Sequence, residues 1–200
     1  MIRRFLYDQL YPDSKLPSSQ LETTAFPTFN NGVVSIFYSA TATFRAPSDI
    51  SGINGMRREY IRATPSWRQE AARYDCVFVN SVPEFQGMSG FEIARVLTFF
   101  LVVHDGVEYQ CTLIHWFSRV GTGPDENTGL WIVESDFGDD KKPYIAIIHI
   151  DSIFRAAHLL PVYRTNSYTK RSLTMHNTLD TFKQFYMNRF VDYHAFEIAF

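Results

Sequence analysis

Six arginines are concentrated between residues 45 and 73, where they outnumber the acidic residues by six to three. Two aromatic residues, Tyr60 and Trp67, lie among them. A guanidinium group pairs with phosphate oxygens through a planar fork of N–H donors, and an aromatic ring accepts the face of a nucleobase. This combination predicts a site that binds nucleic acid, and the residues assigned to it are Arg57, Arg58, Arg62, Trp67 and Arg68.

The same arginines have a second interpretation, in which they lie in a loop and pair with this protein's own acids or are solvated. The stretch from 125 to 140 has six acidic residues and no basic residue, so it could supply those acids. Surface charge runs are usually solvated, and this second interpretation is the one we expect more often. The two interpretations differ in whether the arginines converge on one unpaired face.

Histidines and carboxylates suggest a second kind of chemistry, metal binding or acid–base catalysis. His149 and Asp151 are predicted to share one face of a strand, where His115 or His158 would complete a site. No HExxH helix and no thiolate pair accompanies them, and histidines in apolar strands are usually hydrogen-bonded core residues. A further set has the carboxylates that two-metal phosphoryl transfer needs but no characteristic spacing, and its members are Asp75, Glu134, Asp136 and Asp151.

Ser118 lies in the sequence FSRVG, which lacks the G-x-S-x-G elbow that exposes a nucleophilic serine. A serine hydrolase is therefore not predicted. Because the histidines and carboxylates also lack a metal-binding spacing, the sequence predicts no catalytic residue, no metal site and no cofactor.

A β-hairpin between residues 92 and 120 is the element around which the chain is organised. Two apolar runs flank Asp105-Gly106, a dipeptide that favours a type I′ turn because both residues tolerate positive φ. A two-residue turn fixes the register, and the predicted opposite pairs are His104 with Val107, Phe100 with Cys111, Val96 with His115 and Arg95 with Trp116. Both faces of the hairpin are largely apolar, so we expect it to be covered on two sides.

The other elements are mostly short strands separated by loops. Predicted strands span 33–44, 74–79, 130–135, 144–151 and 157–163, and predicted helical segments span 3–10, 152–157 and 179–190, before an alternating strand or tail at 194–200. This order predicts a mainly β (α+β) fold, an antiparallel, partly closed β-barrel or curled sheet with a C-terminal helix. The expected domains are an N-terminal appendage at 1–32, a β-rich core at 33–163, and a C-terminal helix and tail at 164–200.

The composition of the 200-residue chain excludes several classes of protein. Hydrophobic residues make up 46%, far from the disordered regime, and a net charge of −2 confines any nucleic-acid site to a local patch. Cys76 and Cys111 are isolated, which is typical of buried cysteines in a reducing compartment. The longest apolar run is too short for a membrane helix, and no signal peptide follows Met1, so we expect an intracellular protein without a membrane partner.

Several stretches carry a family resemblance that covers nearly the whole chain in the same order. They are RRFLYDQLYP (3–12), APSDISGINGMRREYIRATPSWR (46–68), RYDCVFV (73–79), LIHWFSRVG (113–121), TGLWIVE (128–134), IIHIDSIFRAAHLLPVY (147–163) and HAFEIAF (194–200). These stretches resemble the C-terminal region of the Plavaka transposases, CACTA-like mobile-element proteins of basidiomycete fungi. In that family the metal-dependent DDE core that cuts and joins DNA lies upstream, so its catalytic carboxylates have no counterpart here.

The resemblance implies an accessory domain without catalytic activity, in the nucleus. Its implied partners are transposon-end DNA, chromatin, or the catalytic core of the transposase that lies upstream. The oligomeric state does not follow from the resemblance.

A second, shorter resemblance is one of strand order. An HWF strand followed by a VES strand is similar to bromo-adjacent homology (BAH) domains, β-barrels that bind chromatin peptides. That similarity implies an aromatic pocket formed by Trp116, Phe117 or Trp131, which would suit a peptide or a methylated lysine through cation–π contact. Aromatic residues on strands are more often core residues, and we expect that role first.

Overall fold

The fold is seen in a computed structural model of the chain, which describes residues 1–16, 18–29, 32–50, 52–163, 173–174 and 176–200. Its strands are β1 (Val34–Phe37), β2 (Ser39–Arg45), β3 (Met56–Thr64), β4 (Arg73–Tyr74), β5 (Cys76–Asn80), β6 (Phe91–His104), β7 (Val107–Arg119), β8 (Ile132–Ser135), β9 (Ile145–His149), β10 (Ile153–Ala157), β11 (Leu159–Pro161) and β12 (Gln184–Met187). Its α-helices are α1 (Ile2–Leu10), α2 (Thr178–Thr181) and α3 (Tyr193–Ile198). Short 3-10 helices span Ser18–Gln20, Thr23–Ala25, Gly87–Ser89 and Ile150–Ser152.

The central hairpin, β6 and β7, has the predicted turn. Asp105 and Gly106 both have positive φ, 51° and 79°, as a type I′ turn requires. His104 lies opposite Val107 and Phe100 opposite Cys111, so the predicted register is confirmed from the turn as far as Thr98.

Beyond Thr98 the predicted register is wrong by one residue. Val96 lies opposite Ile114 and Arg95 opposite His115, where we predicted His115 and Trp116 as their partners. The cause is a β-bulge between Val96 and Thr98, which inserts one extra residue into β6. Turn chemistry sets the register only up to the first bulge, and nothing in the apolar run around Leu97 marks one.

The hairpin is covered on both faces, as its apolar pattern predicted. Phe99 and Phe100 are 2% and 6% exposed although neighbouring side chains on a strand point in opposite directions. Phe99 belongs to a core cluster with Ile61 and Ile114, whereas Phe100 packs with Cys111 and with Phe5 of α1. The N-terminal helix therefore finds its packing partner on the hairpin of this same chain.

The main sheet curls into a nearly closed barrel. Its strands follow the order β10-β5-β6-β7-β8-β12-β11, while β1 also pairs with β6 and β9 with β7. The two ends of this order, β10 and β11, are joined in the chain by a single residue, His158, so the last strand returns close to the first. All pairs of this sheet are antiparallel, and the predicted fold class, with its C-terminal helix, is confirmed.

Two predicted elements in the middle of the chain are wrong. The predicted strand at 33–44 is interrupted at Tyr38, so β1 joins the main sheet while β2 pairs with β3. Residues 152–157 were predicted as a helical turn but form β10, in which Arg155 and Ala157 are buried in alternation. Pairing with β5 decides this conformation, because Arg155 lies opposite Phe78 and Ala157 opposite Cys76.

The C-terminal predictions are also corrected. The predicted helix at 179–190 is one turn, α2, followed by β12, where Phe185 and Met187 are buried in the core and pair with neighbouring strands. The tail at 194–200 was predicted as an alternating strand or tail but contains α3, which begins where Asp192 accepts a hydrogen bond from Ala195 N at 2.7 Å. Residues 164–172 and 175 of the predicted C-terminal region at 164–200 lie outside the described residues.

No helix among the residues described is long and apolar enough to cross a membrane. Cys76 and Cys111 are both free and buried, as their isolated positions predicted. Burial raises the pKa of each thiol to about 12, so neither is a thiolate at neutral pH.

Candidate nucleic-acid interface

The arginine-rich segment is a strand and not a loop. Strand β3 pairs with β2 over seven residues, and alternation directs Arg58, Tyr60 and Arg62 outward. The residues between them face the barrel, and Ile61 there is 1% exposed. The hairpin of β2 and β3 therefore presents a flat outer surface, onto which Arg45 of β2 also projects.

We call this surface the basic ribbon, and it consists of Arg45, Arg58, Tyr60, Arg62, Trp67 and Arg68. The Arg62 guanidinium lies 4.2 Å from the Trp67 ring centroid and 5.3 Å from that of Tyr60, so two rings hold it in place. Arg68 lies 5.6 Å from the Trp67 ring. Trp67 thus orients guanidinium groups, while Tyr60, at 57% exposure, is the ring most accessible to a ligand.

The arginines of the segment divide into paired and unpaired groups. Arg57 points inward and forms an ion pair with the buried Asp49, and Arg73 binds Asp75 through two nitrogens at 2.8 and 3.2 Å. Among the described residues, no carboxylate forms an ion pair with any of the four arginines of the basic ribbon, Arg45, Arg58, Arg62 and Arg68. Three predicted arginines, Arg58, Arg62 and Arg68, therefore lie on the basic ribbon, and Arg45 joins them. Arg57 was also predicted but does not belong to the candidate site.

In the part of the chain that the structure describes, the ion pairs seen for the acidic stretch at 125–140 are with lysines and not with the arginines of the segment, so this stretch is not seen to supply the acids that the second interpretation expected. Asp140 pairs with Lys142, and Glu134 pairs with Lys183 and accepts a hydrogen bond from Gln184. The acids that do pair with arginines of the segment are Asp49, which lies within the segment, and Asp75, which lies just after it.

The predicted histidine and carboxylate candidates are satisfied locally. His149 and Asp151 do not share a strand face, because Asp151 lies in the 3-10 helix that follows β9, but they are in contact: the Asp151 N–H donates to His149 Nδ1 at 3.3 Å, and an Asp151 carboxylate oxygen lies 3.3 Å from the same nitrogen. His115 contacts the backbone oxygen of Asp136 at 2.8 Å, and His158 is exposed. Among the residues the structure describes, no three of His, Cys, Asp and Glu converge closely enough to hold a metal ion, and this includes the predicted set of Asp75, Glu134, Asp136 and Asp151. Ser118 is exposed on β7 opposite Glu134.

The three aromatic residues of the predicted peptide pocket line one open concavity of about 730 Å³. Phe117 is mostly a core residue, at 5% exposure, whereas Trp116 and Trp131 are half-buried. The Arg119 guanidinium lies 5.7 Å from the Trp131 ring and also donates to Met88 O at 3.0 Å. The Nε1 donor of Trp131 is buried and has no hydrogen-bond partner among the described residues.

No family model, curated protein or solved structure matches this chain. The function is therefore inferred from the side chains of the basic ribbon and the concavity, together with the family resemblance of the sequence. Neither surface is assigned to a known family by these comparisons.

A buried ion cluster lies beneath the basic ribbon and anchors it to the barrel. Arg155 of β10 is 1% exposed and donates to both carboxylate oxygens of Asp192, at 2.9 and 2.6 Å, and to Glu59 of β3 at 3.3 Å. Its guanidinium also contacts His194 Nδ1 at 3.1 Å and lies 4.6 Å from the Phe44 ring. The cluster joins β3, β10 and the start of α3, and no pattern in the sequence pointed to it.

The buried ion cluster shifts two pKa values. Burial raises the pKa of the Asp192 carboxyl, but hydrogen bonds from Arg155 and from Ala195 N outweigh it and lower that pKa to about 2. Burial, followed by the charge of Arg155, lowers the pKa of His194 below 6.5. The charges that act on His194 are Arg155, Asp192, Glu197 and Arg57.

These two pKa shifts predict that the free energy of unfolding falls as the pH is lowered. His194 is neutral in the fold, so the unfolded chain binds the extra proton and stability should fall as the pH drops below 6.5. The Asp192 contribution is complete above the unfolded carboxyl pKa of 3.8 and is lost as the pH falls towards 2. Urea unfolding at a series of pH values should show a midpoint that declines first below pH 6.5 and again below pH 4.

The matched control is His194→Gln, which keeps a hydrogen-bond acceptor but cannot titrate. It should lose the decline that begins at pH 6.5 and keep the one at lower pH. An identical decline in both proteins would assign the first step to another histidine.

Proposed function

We propose that this protein binds nucleic acid through the basic ribbon, as a non-catalytic accessory domain. The single observation that carries the proposal is that four arginines lie on one outer surface without an ion-paired carboxylate among the described residues. Guanidinium groups that are not neutralised by the protein's own acids remain available to phosphate oxygens. Because the net charge of the chain is −2, this surface is a local feature and not a property of the whole protein.

The arrangement on β3 favours a single strand over a duplex. Alternate residues of a strand are roughly 7 Å apart, so Arg58 and Arg62 flank the exposed ring of Tyr60 in one row. The Arg62 guanidinium lies 5.3 Å from the Tyr60 ring centroid, so an unpaired base would stack on the ring face that Arg62 leaves open, with its neighbouring phosphates near the two guanidiniums. In a duplex the base faces are already stacked and unavailable to the ring.

The resemblance to the Plavaka transposases supports DNA as the nucleic acid and the nucleus as its location. It also supports a transposase catalytic core or chromatin as the wider context of binding. In that context the domain would hold DNA while an upstream core performs the chemistry.

The test is a titration of a fluorescently labelled single-stranded oligonucleotide across a salt series, with the matching duplex in parallel. Three to four phosphate contacts predict a slope of log K against log[salt] of about −2 to −3 for the single strand. The single strand should also bind more tightly than the duplex. A slope near zero would contradict nucleic-acid binding, and tighter binding of the duplex would contradict the stacking role of Tyr60.

A peptide-binding module similar to BAH domains is the second candidate, and the concavity beside Trp131 favours it. Trp116, Phe117 and Trp131 give this concavity an aromatic lining, and the buried Nε1 donor of Trp131, which has no hydrogen-bond partner among the described residues, would bind a peptide carbonyl oxygen only after the ring turns to expose it. The Trp131 ring already carries the Arg119 guanidinium, which counts against a methyl-lysine on that ring. A histone-peptide panel tests this candidate, and Trp131→Phe should weaken any peptide that binds there.

A further inference from the structure

Strand β1 is an apolar edge strand with both faces exposed. All four of its residues are exposed, with Ile36 at 61% and Phe37 at 50%, and Val33 and Tyr38 beside it are at 67% and 60%. One edge of β1 pairs with β6, and within the described part of the chain no strand pairs with the other edge. Natural sheets usually protect such an edge with charge, proline or a bulge, and Val34–Phe37 has none of these.

The register of the central hairpin shows which backbone groups of β1 are free. A two-residue type I′ turn closes on a hydrogen-bonded pair, here His104 and Val107, so every second residue of β6 from His104 bonds to β7. The residues between them, Leu101 and Phe99, direct their groups to Ser35 and Phe37 of β1. The N–H and C=O groups of Val34 and Ile36 therefore point to the open edge.

We propose that β1 pairs antiparallel with β1 of a second copy of this chain, in a two-fold dimer. The register that uses both free residues of β1 places Val34 opposite Ile36 of the partner subunit, with the two-fold axis at Ser35. The two copies then share four backbone hydrogen bonds. Ser35 meets Ser35 of the partner subunit as a non-hydrogen-bonded pair, with Cα atoms about 4.5 Å apart.

The chemistry of the strand favours a second copy as the occupant. Residues 33–38 (VVSIFY) carry no charge, so pairing β1 with a second β1 brings no like charges together. In the proposed register Val34 of one copy lies opposite Ile36 of the other, on the same face of the sheet. The small Ser35 lies at the axis, where two side chains approach most closely. A strand from a different protein would form no two-fold axis and would therefore not need a small residue at position 35.

The area available is that of a weak, reversible dimer. The large side chains of Val33, Val34, Ile36, Phe37 and Tyr38 expose on the order of 500 Å² per copy, taking roughly 150–250 Å² for a fully exposed large side chain. Edge-to-edge pairing leaves both faces of β1 open, so two copies would bury only part of this area, less than the roughly 1,000 Å² expected of a specific interface. We therefore expect the dimer to dissociate on dilution.

Cross-linking tests the position of the axis. Oxidation of Ser35→Cys with diamide should give a disulfide-linked dimer, because a Cα separation of about 4.5 Å lies within the range of disulfides. The native cysteines, Cys76 and Cys111, are buried and should not compete. The control is Thr41→Cys, an equally exposed position on β2 that is far from the axis and should cross-link at least tenfold less.

Sedimentation velocity over a concentration series tests the dimer itself. The unaltered chain should shift from monomer to dimer at tens of micromolar or above, whereas Ile36→Lys should remain a monomer with an unchanged thermal midpoint. Equal cross-linking at positions 35 and 41, or a monomer at every concentration, would overturn the proposal and leave the edge to a foreign strand. Neither readout depends on nucleic acid, so this inference fails or succeeds separately from the proposed function.

Discussion

Replacing Arg155 with methionine should lower the free energy of unfolding by about 3–5 kcal/mol, the usual cost of removing one partner from a buried ion pair. The variant leaves Glu59 and Asp192 in the interior without the guanidinium that both of them bind. Methionine fills part of the volume but offers no hydrogen-bond donor. Urea unfolding followed by circular dichroism measures the loss.

Two further variants separate the ion cluster from a general effect of losing an arginine. Arg58→Met makes the same change on the exposed face of β3, where the stability should change by no more than about 0.5 kcal/mol. Combining Arg155→Met with Glu59→Gln and Asp192→Asn removes the buried charges and should restore part of the stability. Equal effects of Arg155→Met and Arg58→Met would contradict the role of the cluster.

The double variant Arg58→Ala/Arg62→Ala should weaken binding of single-stranded DNA on the order of tenfold for each arginine removed, because a charged hydrogen bond to phosphate contributes about 1.5 kcal/mol or more. Each lost phosphate contact should also reduce the salt slope by about 0.7. Fluorescence anisotropy at several salt concentrations measures both quantities. The fold should be retained, since neither arginine has an ion-paired carboxylate among the residues described, and the lost contacts of Arg62 with Tyr60 and Trp67 should lower stability by about 0.5–1 kcal/mol each.

Lys15→Ala/Lys141→Ala is the charge-matched control for this variant. Both lysines are exposed and lie outside the basic ribbon, so the control removes the same net charge elsewhere on the surface. Its salt slope should equal that of the unaltered protein. If the two double variants weaken binding equally, the effect comes from net charge and not from the ribbon.

The fold could be predicted from the sequence where local chemistry decides it. Asp105-Gly106 specifies the turn, and the apolar runs beside it specify an interior hairpin. The C-terminal elements could not be predicted in this way, because Phe182, Phe185 and Tyr186 suit a helical stripe as well as a short strand. Pairing of β12 with β8 and β11, which are distant in the chain, decides between them.

The candidate site was predicted in part. The cluster of arginines with Tyr60 and Trp67 was visible in the sequence, but Arg57 and Arg58 were assigned together. Neighbouring residues on a strand point to opposite faces, so identifying residues 56–64 as a strand would have separated them. The buried ion cluster was missed because Glu59, Arg155 and Asp192 have no spacing that connects them.

The long separation in sequence between Arg155 and its two carboxylate partners affects how the chain folds during synthesis on the ribosome. Arg155 lies 96 residues after Glu59 and 37 residues before Asp192, so both of its carboxylate partners are reached only by closing long loops. While Asp192 is still untranslated, β10 carries a cation that only Glu59 can neutralise. We therefore expect the nascent chain to complete its barrel only once Asp192 has been synthesised and has left the ribosome, in a slow step typical of proteins with distant contacts.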